Sequence, residues 1–222
     1  MSANVNAGGS AAADVLLDLM RARRSVRRFR PETPPRDLIE RLLAAAVTAP
    51  SASNKQPWRF FVVAQRAAIE RLAVAVRAAV DRIARHVEPA SEPAFRAYGD
   101  YFTRFEAAPL VIAVLHRRLT VLSNLVGDRL DDADRARVEA MERDSGLEGA
   151  SMALQNLLLM APSLGLGASG MTGPLVAAHA LREILAVPAS WEIAALVPVG
   201  FPDEEPPPTD RKPLDNVVRW ID

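Results

Sequence analysis

Six arginines, Arg21, Arg23, Arg24, Arg27, Arg28 and Arg30, surround one hydroxyl, Ser25, in the run RARRSVRRFR. A guanidinium donates two parallel charge-assisted hydrogen bonds in a planar fork, and a serine hydroxyl adds a further donor, so the set suits a phosphate. In extended backbone Arg23, Ser25 and Arg27 fall on one side. A solvated basic helix end, favourable to the helix dipole, accounts for the same residues. A nucleic-acid patch is a third reading. It fits poorly with a chain whose Lys plus Arg and Asp plus Glu both number 27, for a formal net charge of zero.

A second run, Pro50-Ser51-Ala52-Ser53-Asn54-Lys55-Gln56-Pro57-Trp58, is bounded by prolines and rich in short donors and acceptors. Such a loop can hydrogen-bond the edge of a flat heterocycle, and a structural turn explains it as well. The third run, Gly165-Leu166-Gly167-Ala168-Ser169-Gly170, matches G-x-G-x-x-G. That fingerprint binds a dinucleotide only after a strand and at the start of a helix. Here the preceding segment is helical in pattern and Gly173-Pro174 breaks the chain just beyond, so the match is rejected. The glycines instead let the backbone approach something flat, with peptide N–H groups around Thr172 and Gly173 pointing at it, or they simply make a tight turn. The chain has no cysteine, and its three histidines, His86, His116 and His179, lack ligand spacing, so no metal is expected. No catalytic triad or carboxylate pair is evident.

The elements that must position these runs are set by periodicity. A first helix is expected over 11–23, with Ser10 as a candidate cap and Val15, Leu16, Leu19 and Met20 at helical spacing. Pro34 and Pro35 open a second helix with Leu38, Leu42, Ala45 and Ala49 on its apolar face, closed by Pro50. WRFFVVA at 58–64 reads as a strand and 66–87 as a helix. Residues 92–106 are helical but broken. LVIAVLH at 110–116 is a continuous apolar run, the mark of a fully buried strand. Residues 117–145 are charged and irregular, with Asp131 to Arg137 on a solvated helix, and 146–163 form a helix apolar all round, hence buried. Residues 165–169 make a short strand or turn, 175–186 a helix, and 192–201 another buried strand. Pro206 to Pro208 end the compact body. The tail beyond carries Leu214, Val217, Val218 and Trp220 with no further partner in its own chain.

At 222 residues, 50% hydrophobic and 24% charged, the composition is that of a globular protein. One domain over 11–222 is expected after a flexible leader at 1–10, with 88–145 as a lid or surface excursion and 206–222 as a C-terminal arm. The start of the chain is a poor signal segment, and no run of about eighteen uninterrupted apolar residues occurs. A soluble, cytoplasmic protein with no membrane or nucleic-acid partner is expected.

In order along the chain, RRSVRRF, APSASNKQPWRFFVV, GASMALQNLLLMAPSLGLGASGMTGP, LVPVGFP and RKPLDNVV resemble the nitroreductase family of flavoproteins, across about 14–64 and 145–220. The resemblance implies an α+β fold, with a mixed, mainly antiparallel sheet flanked by helices, in an intertwined homodimer. One FMN per subunit sits in the dimer interface, and the tail reaches onto the partner. By position, Arg23, Arg24, Ser25 and Arg27 correspond to the early FMN-binding run. Arg23 and Ser25 hold phosphate or ribityl groups, and Arg27 lies by the N1–C2 carbonyl edge, where a cation stabilises reduced flavin. Pro50, Ser51 and Asn54 match the loop presented to the partner's isoalloxazine. Thr172 and Gly173 match backbone donors near N5 and O4, and Arg211 the late phosphate-binding arginine. Gly170 stands where many relatives carry a bulky residue, and Pro162 interrupts a helix usually continuous there. Both bear on the cofactor pocket. Tyr98, Tyr101, Phe102 and Phe105 either line that pocket or pack in the core.

The implied activity is hydride transfer from NADH or NADPH through the flavin to a nitroaromatic, a quinone or a similar electron-poor compound, with ping-pong kinetics. No side chain is required as catalyst, because water can deliver the protons. Alternatives are a flavin-sequestering module, or a member using FMN without nicotinamide: a dehalogenase, a ring dehydrogenase or a benzimidazole synthase. The pair Ser53-Asn54 argues mildly against the last.

Overall fold

The structure, a computed structural model, describes residues 7–221, with side chains from residue 11 onward. Its centre is a four-stranded sheet of β1 (Trp58–Val63), β2 (Leu110–His116), β3 (Gly167–Ala168) and β4 (Glu192–Gly200), in the order β1-β2-β4-β3. Each neighbouring pair is antiparallel. A single parallel bridge, Ser25 to Ala168, makes the sheet mixed. The fold class is therefore α+β, as expected.

Every residue of β2 is buried, which is why its sequence does not alternate. Its side chains still alternate in space. Val111, Ala113 and Leu115 enter one core with Ile69, Leu72, Phe105 and Leu181. Leu110, Ile112 and Val114 enter the other with Leu42, Ala150, Ala153 and Leu157. Helices α3 (Arg66–Ala84), α4 (Glu92–Gly99) and α7 (Ala178–Ile184) cover the first face. Helices α2 (Arg36–Ala46) and α6 (Asp132–Ser163) cover the second.

The largest departure from the sequence reading is α6. It runs 32 residues from Asp132, not from 146, so the solvated helix expected near Asp131 to Arg137 and the buried helix expected from 146 are one continuous helix, which takes in about half of the stretch 117–145. Asp131 caps it by accepting the Asp134 N–H at 2.8 Å. Its first half lacks an apolar stripe because its buried anchor is a carboxylate. Glu142, 2% exposed, accepts the Leu122 and Ser123 N–H groups at 2.7 and 3.1 Å, at the start of α5 (Val121–Val126). Burial pushes the Glu142 carboxyl up, but Ser123, the Leu122 N–H and nearby Arg118 outweigh it and hold the pKa below the usual value.

Smaller differences have local causes. Helix α1 (Ala7–Ala22) starts before Ser10, so Ser10 lies within the helix and is not its cap. Of the expected flexible leader 1–10, residues 1–6 lie outside those described. Pro162 falls in the last turn of α6, so the one helical hydrogen bond that it removes lies beside the helix end; Gly165, at φ 71°, then turns the chain in the left-handed conformation common after helix ends. The expected helix 175–186 is a 3₁₀ turn at Gly173–Ala177 followed by α7. The expected broken helix is α4 followed by a 3₁₀ segment, Asp100–Ala107. No helix among the described residues is long and apolar enough to cross a membrane.

Two apolar segments find no cover among the described residues. On α1, Val15, Leu16, Leu17, Leu19 and Met20 are exposed, and in the tail Leu214, Val217, Trp220 and Ile221 are exposed, the last two at 83% and 89%. Exposed apolar surface of this extent marks a binding face.

Candidate functional site

The arginine run leaves α1 at Ala22 and lies against the ends of β3 and β4. Val26 N–H donates to Ala168 O at 3.1 Å, Arg30 N–H to Phe201 O at 2.9 Å, and Asp203 N–H to Arg28 O at 3.0 Å. These bonds hold 25–30 extended. Val26 turns into the core, whereas Ser25 and Arg27 stay half-buried.

Glu204 completes the anchorage, and the sequence reading missed it. One carboxylate oxygen accepts both the Arg27 N–H at 2.6 Å and the Arg28 N–H at 3.0 Å. The other lies 3.3 Å from Arg28 Nε. Burial pushes the Glu204 carboxyl up, but the two N–H donors and the Arg28 and Arg27 cations prevail and hold it below its usual range. The available signal was the acidic run Asp203-Glu204-Glu205 directly after a buried strand, in a chain with an equally compact basic run.

Pairing then sorts the arginines. Arg21 faces Asp18 at 3.5 Å and Arg28 faces Glu204. Arg24 turns back onto the Arg23 carbonyl at 2.9 Å, and Arg27 reaches the Ser25 carbonyl at 3.3 Å. Arg23, half-buried, has no carboxylate partner among the described residues. Arg23, Arg24, Arg27 and Arg30 thus keep their charge unneutralised by any carboxylate bridge among the described residues, and the first three flank Ser25.

The glycine-rich run reaches the same sheet edge. Met171 exchanges backbone bonds with Leu196 at 2.9 and 3.0 Å, which fixes the residues after it. Neither the Thr172 nor the Gly173 N–H finds a backbone acceptor among the described residues. At Gly173 a Cβ would overlap the Phe102 ring, so the backbone passes over that ring at a separation only glycine allows. Phe102 and Phe105 are core residues, while Tyr98 and Tyr101 are exposed, at 64% and 47%. Gly170 is exposed, and a Cβ there would only touch Leu154 and Leu158 at 3.4 and 3.5 Å. A side chain fits at that position, so the glycine leaves room beside the backbone donors.

The loop after α2 is compact and strained. Ser53, Asn54 and Gln56 have φ of 51°, 50° and 46°, in the left-handed region that residues other than glycine seldom adopt. Ser51 holds the turn: its carbonyl accepts the Asn54 N–H and its hydroxyl the Gln56 N–H, both at 2.9 Å. Pro50 and Asn54 are exposed. The loop rests on α6 at Gly149, where a Cβ would come within 3.0 Å of Pro57 Cγ. Over-determined strain on an exposed loop is a feature of binding sites.

Of the expected residues, then, Arg23, Arg24, Ser25 and Arg27 are fixed on the ends of β3 and β4, while Gly170, Thr172 and Gly173 come directly after β3. Arg211 stays within the exposed tail, bonded to Thr209 Oγ1 at 2.7 Å and Asp210 O at 3.0 Å. No bond ties it to the first arginine run among the described residues. The set fits FMN in two respects: unneutralised cations beside a hydroxyl suit a phosphate, and free N–H groups on a glycine backbone suit the edge of a flat ring.

Known proteins resemble this chain over most of its length. An "NADH dehydrogenase" of Thermus thermophilus is 32% identical over 213 residues, covering 89% of this chain and 92% of the relative. A 5,6-dimethylbenzimidazole synthase of Rhodobacter capsulatus is 30% identical over 210 residues, covering 93% and 91%. Among solved structures, a BluB-like flavoprotein from Clostridium difficile superposes with a TM-score of 0.81 at 22% identity, covering 93% of this chain and 99% of that one. The profile of the Nitroreductase family matches residues 20–201, and the chain belongs to that family.

Proposed function

We propose that the protein is a homodimeric FMN-dependent oxidoreductase that passes a hydride from NADH or NADPH, by way of flavin N5, to an electron-poor acceptor such as a nitroaromatic or quinone. Arg23, Arg24 and Ser25 hold the phosphate and ribityl chain, and Arg211 joins them on the phosphate. Such a phosphate carries about −1.5 to −2 charges near neutral pH and needs clustered cations. Arg27 places a positive charge at the pyrimidine edge of the ring, which favours the electron-rich form. Thr172 and Gly173 offer their N–H groups to the opposite edge. Pro50, Ser51 and Asn54 come from the partner subunit, whose exposed loop covers the ring and excludes water from it. The accompanying proton comes from solvent, so no side chain acts as acid or base.

The observation that carries this reading is the charge in the arginine run: Glu204 and Asp18 engage Arg28 and Arg21, and Arg23, Arg24 and Arg27, around Ser25, have no carboxylate bridge among the described residues and are left for an anion. The exposed apolar faces of α1 and the tail support the dimer. Purified protein is expected to be yellow, to be bleached by NADPH or NADH under argon, and to give parallel double-reciprocal plots with a quinone. Colourless protein that takes up no FMN overturns the proposal. Yellow protein that neither nicotinamide bleaches indicates a flavin-sequestering module instead.

The 30% identity with a benzimidazole synthase over 93% of the chain favours a second reading, in which the bound flavin itself is consumed with dioxygen. Admitting air to the reduced protein separates the two. Full return of the yellow colour supports the reductase, and permanent loss of the flavin spectrum supports the synthase.

A further inference from the structure

A cleft of about 670 Å³ opens where β2 ends and β4 begins, away from the arginine run. Four cations line it: Lys55 from the strained loop, Arg117 and Arg118 directly after β2, and Arg143 from α6, against the carboxylates of Glu139 and Glu192. The surplus is two positive charges, in a chain whose formal net charge is zero. The existing pairings are weak. Arg118 lies 3.4 Å from Glu139 with both side chains nearly half exposed, and Arg143 leans at 3.4 Å toward Asp144, its own chain neighbour. Lys55 has no carboxylate partner among the described residues. His116, 5% exposed at the base of the cleft, is held neutral by burial, which outweighs the upward push of Glu192. It therefore adds no charge.

The cleft is far larger than one phosphate requires, and Leu119, Val121 and Ala189 give part of its wall an apolar character. Its occupant should combine anionic groups with a flat, less polar body. Position narrows the class. Lys55 follows Asn54 directly, and the Arg117 N–H donates to Pro57 O at 3.1 Å, so cleft and loop are one construction. If that loop covers the partner's isoalloxazine, the cleft begins one residue from where a nicotinamide must stack. A molecule that spans both places and carries phosphates is the reduced dinucleotide itself.

We infer that Lys55, Arg117, Arg118 and Arg143 form the site for the adenylate end of the reduced nicotinamide dinucleotide, and that their charge surplus selects NADPH over NADH. The inference rests on the FMN reading above. Both dinucleotides carry the diphosphate, and the 2′-phosphate that distinguishes NADPH adds about −1.5 to −2 charges near neutral pH for these four cations to bind.

Calorimetric titration of the purified, flavin-loaded protein with adenosine 2′,5′-bisphosphate, 5′-AMP and pyrophosphate, at low ionic strength, tests the site without turnover. The bisphosphate is expected to bind at least about tenfold more tightly than either 5′-AMP or pyrophosphate, and Arg143→Glu and Lys55→Glu are each expected to weaken it about tenfold or more. Both positions are exposed, so the variants should keep the wild-type Tm, which circular dichroism checks. In the same variants KM for NADPH should rise by at least about fivefold more than KM for NADH, and equal rises for the two would overturn the selectivity. Equal binding of bisphosphate and 5′-AMP, equal binding of pyrophosphate, or undiminished binding in both variants overturns the inference. Failure of the underlying reading looks different: the wild-type protein then binds no FMN, whatever the nucleotide titration gives.

Discussion

Residues 23–30 and residues 209–221 both carry an arginine expected at the same phosphate, yet they are held in opposite ways. The first segment is bonded to β3, to the residues after β4 and to Glu204, and Val26 is buried. The second, among the described residues, bonds only within itself, through Arg211 and the turn at Pro213–Val218, and leaves Trp220 and Ile221 exposed at 83% and 89%. On the proposed reading, one half of the anion site is built by the chain's own core, and the other half waits for a surface. The uncovered face of α1, next to the first segment in sequence, offers apolar area of the right kind. The contrast implies that the cofactor should be lost by two separable routes.

The sharpest way to break the comparison is to remove the tail. A chain ending at Pro208 keeps both cores and the whole first segment, and is expected to fold. It should nevertheless run as a monomer in analytical ultracentrifugation and purify without FMN. A truncated protein that remains dimeric and yellow would show that the tail contributes neither to the seam nor to the phosphate. The next largest effect lies within the first segment. Arg23→Ala should weaken FMN about 10- to 100-fold, the consequence of losing a charge-assisted contact of about 1.5–3 kcal/mol. Arg30→Ala, at an exposed position outside the Arg23–Ser25–Arg27 set, should change it by less than about twofold. Fluorescence titration of apoprotein measures both, and equal effects at Arg23 and Arg30 would leave only a general basic patch.

Much of this division was legible in the sequence, and the parts that were not have physical reasons. The buried strands β2 and β4 announced themselves because a strand covered on both faces needs no alternation, and the tail stood out as apolar residues after a proline-rich stop. A solvated helix near Asp131 to Arg137 was legible, but its continuity with the buried helix from 146 was not, because a segment anchored by a buried carboxylate shows no apolar stripe: Glu142 reads as one more surface charge until Leu122 and Ser123 are seen to donate to it. Glu204 was missed for the same reason. Its partners lie 176 and 177 residues away in sequence, and nothing local distinguishes it from Asp203 or Glu205. The cationic cleft was illegible because its four cations come from three separate stretches of the chain.

Two glycines three residues apart sharpen the comparison at the flat-ligand edge. Replacing glycine by alanine commonly stabilises by about 0.4–1 kcal/mol through the unfolded chain where the native backbone allows it. At Gly173 the new methyl would drive into the Phe102 ring, which is buried at 8% exposure and cannot yield freely. Overpacking of about 1–3 kcal/mol should win there, and Gly173→Ala is expected to lower the urea midpoint and weaken FMN together. At Gly170 the methyl meets Leu154 and Leu158 at ordinary contact distance, so Gly170→Ala should be neutral to slightly stabilising with FMN retained. Similar losses at both sites would mean that glycine serves the turn there, and not the approach to a ligand.

The smallest expected effect is at Glu204, and its sign with pH is fixed by its surroundings. Its carboxyl is held below its usual 4.5 in the folded chain, so the unfolded chain binds the proton more tightly. The stabilisation is therefore fully present above about pH 4.5 and is lost as pH falls through the lower folded value. Glu204→Gln keeps an oxygen that can accept the Arg27 and Arg28 N–H groups but removes the charge. It should lower stability by about 1 kcal/mol near neutral pH, the difference between a charged and a neutral acceptor. That difference should shrink toward zero in urea unfolding series taken from pH 6 down to pH 3. A gap that stays constant over this range would assign the loss to packing of the amide. Because Arg27 would then be less firmly held while Arg211 is untouched, FMN affinity in the same variant should fall modestly even where the dimer is intact, which separates the built half of the site from the half supplied across the seam.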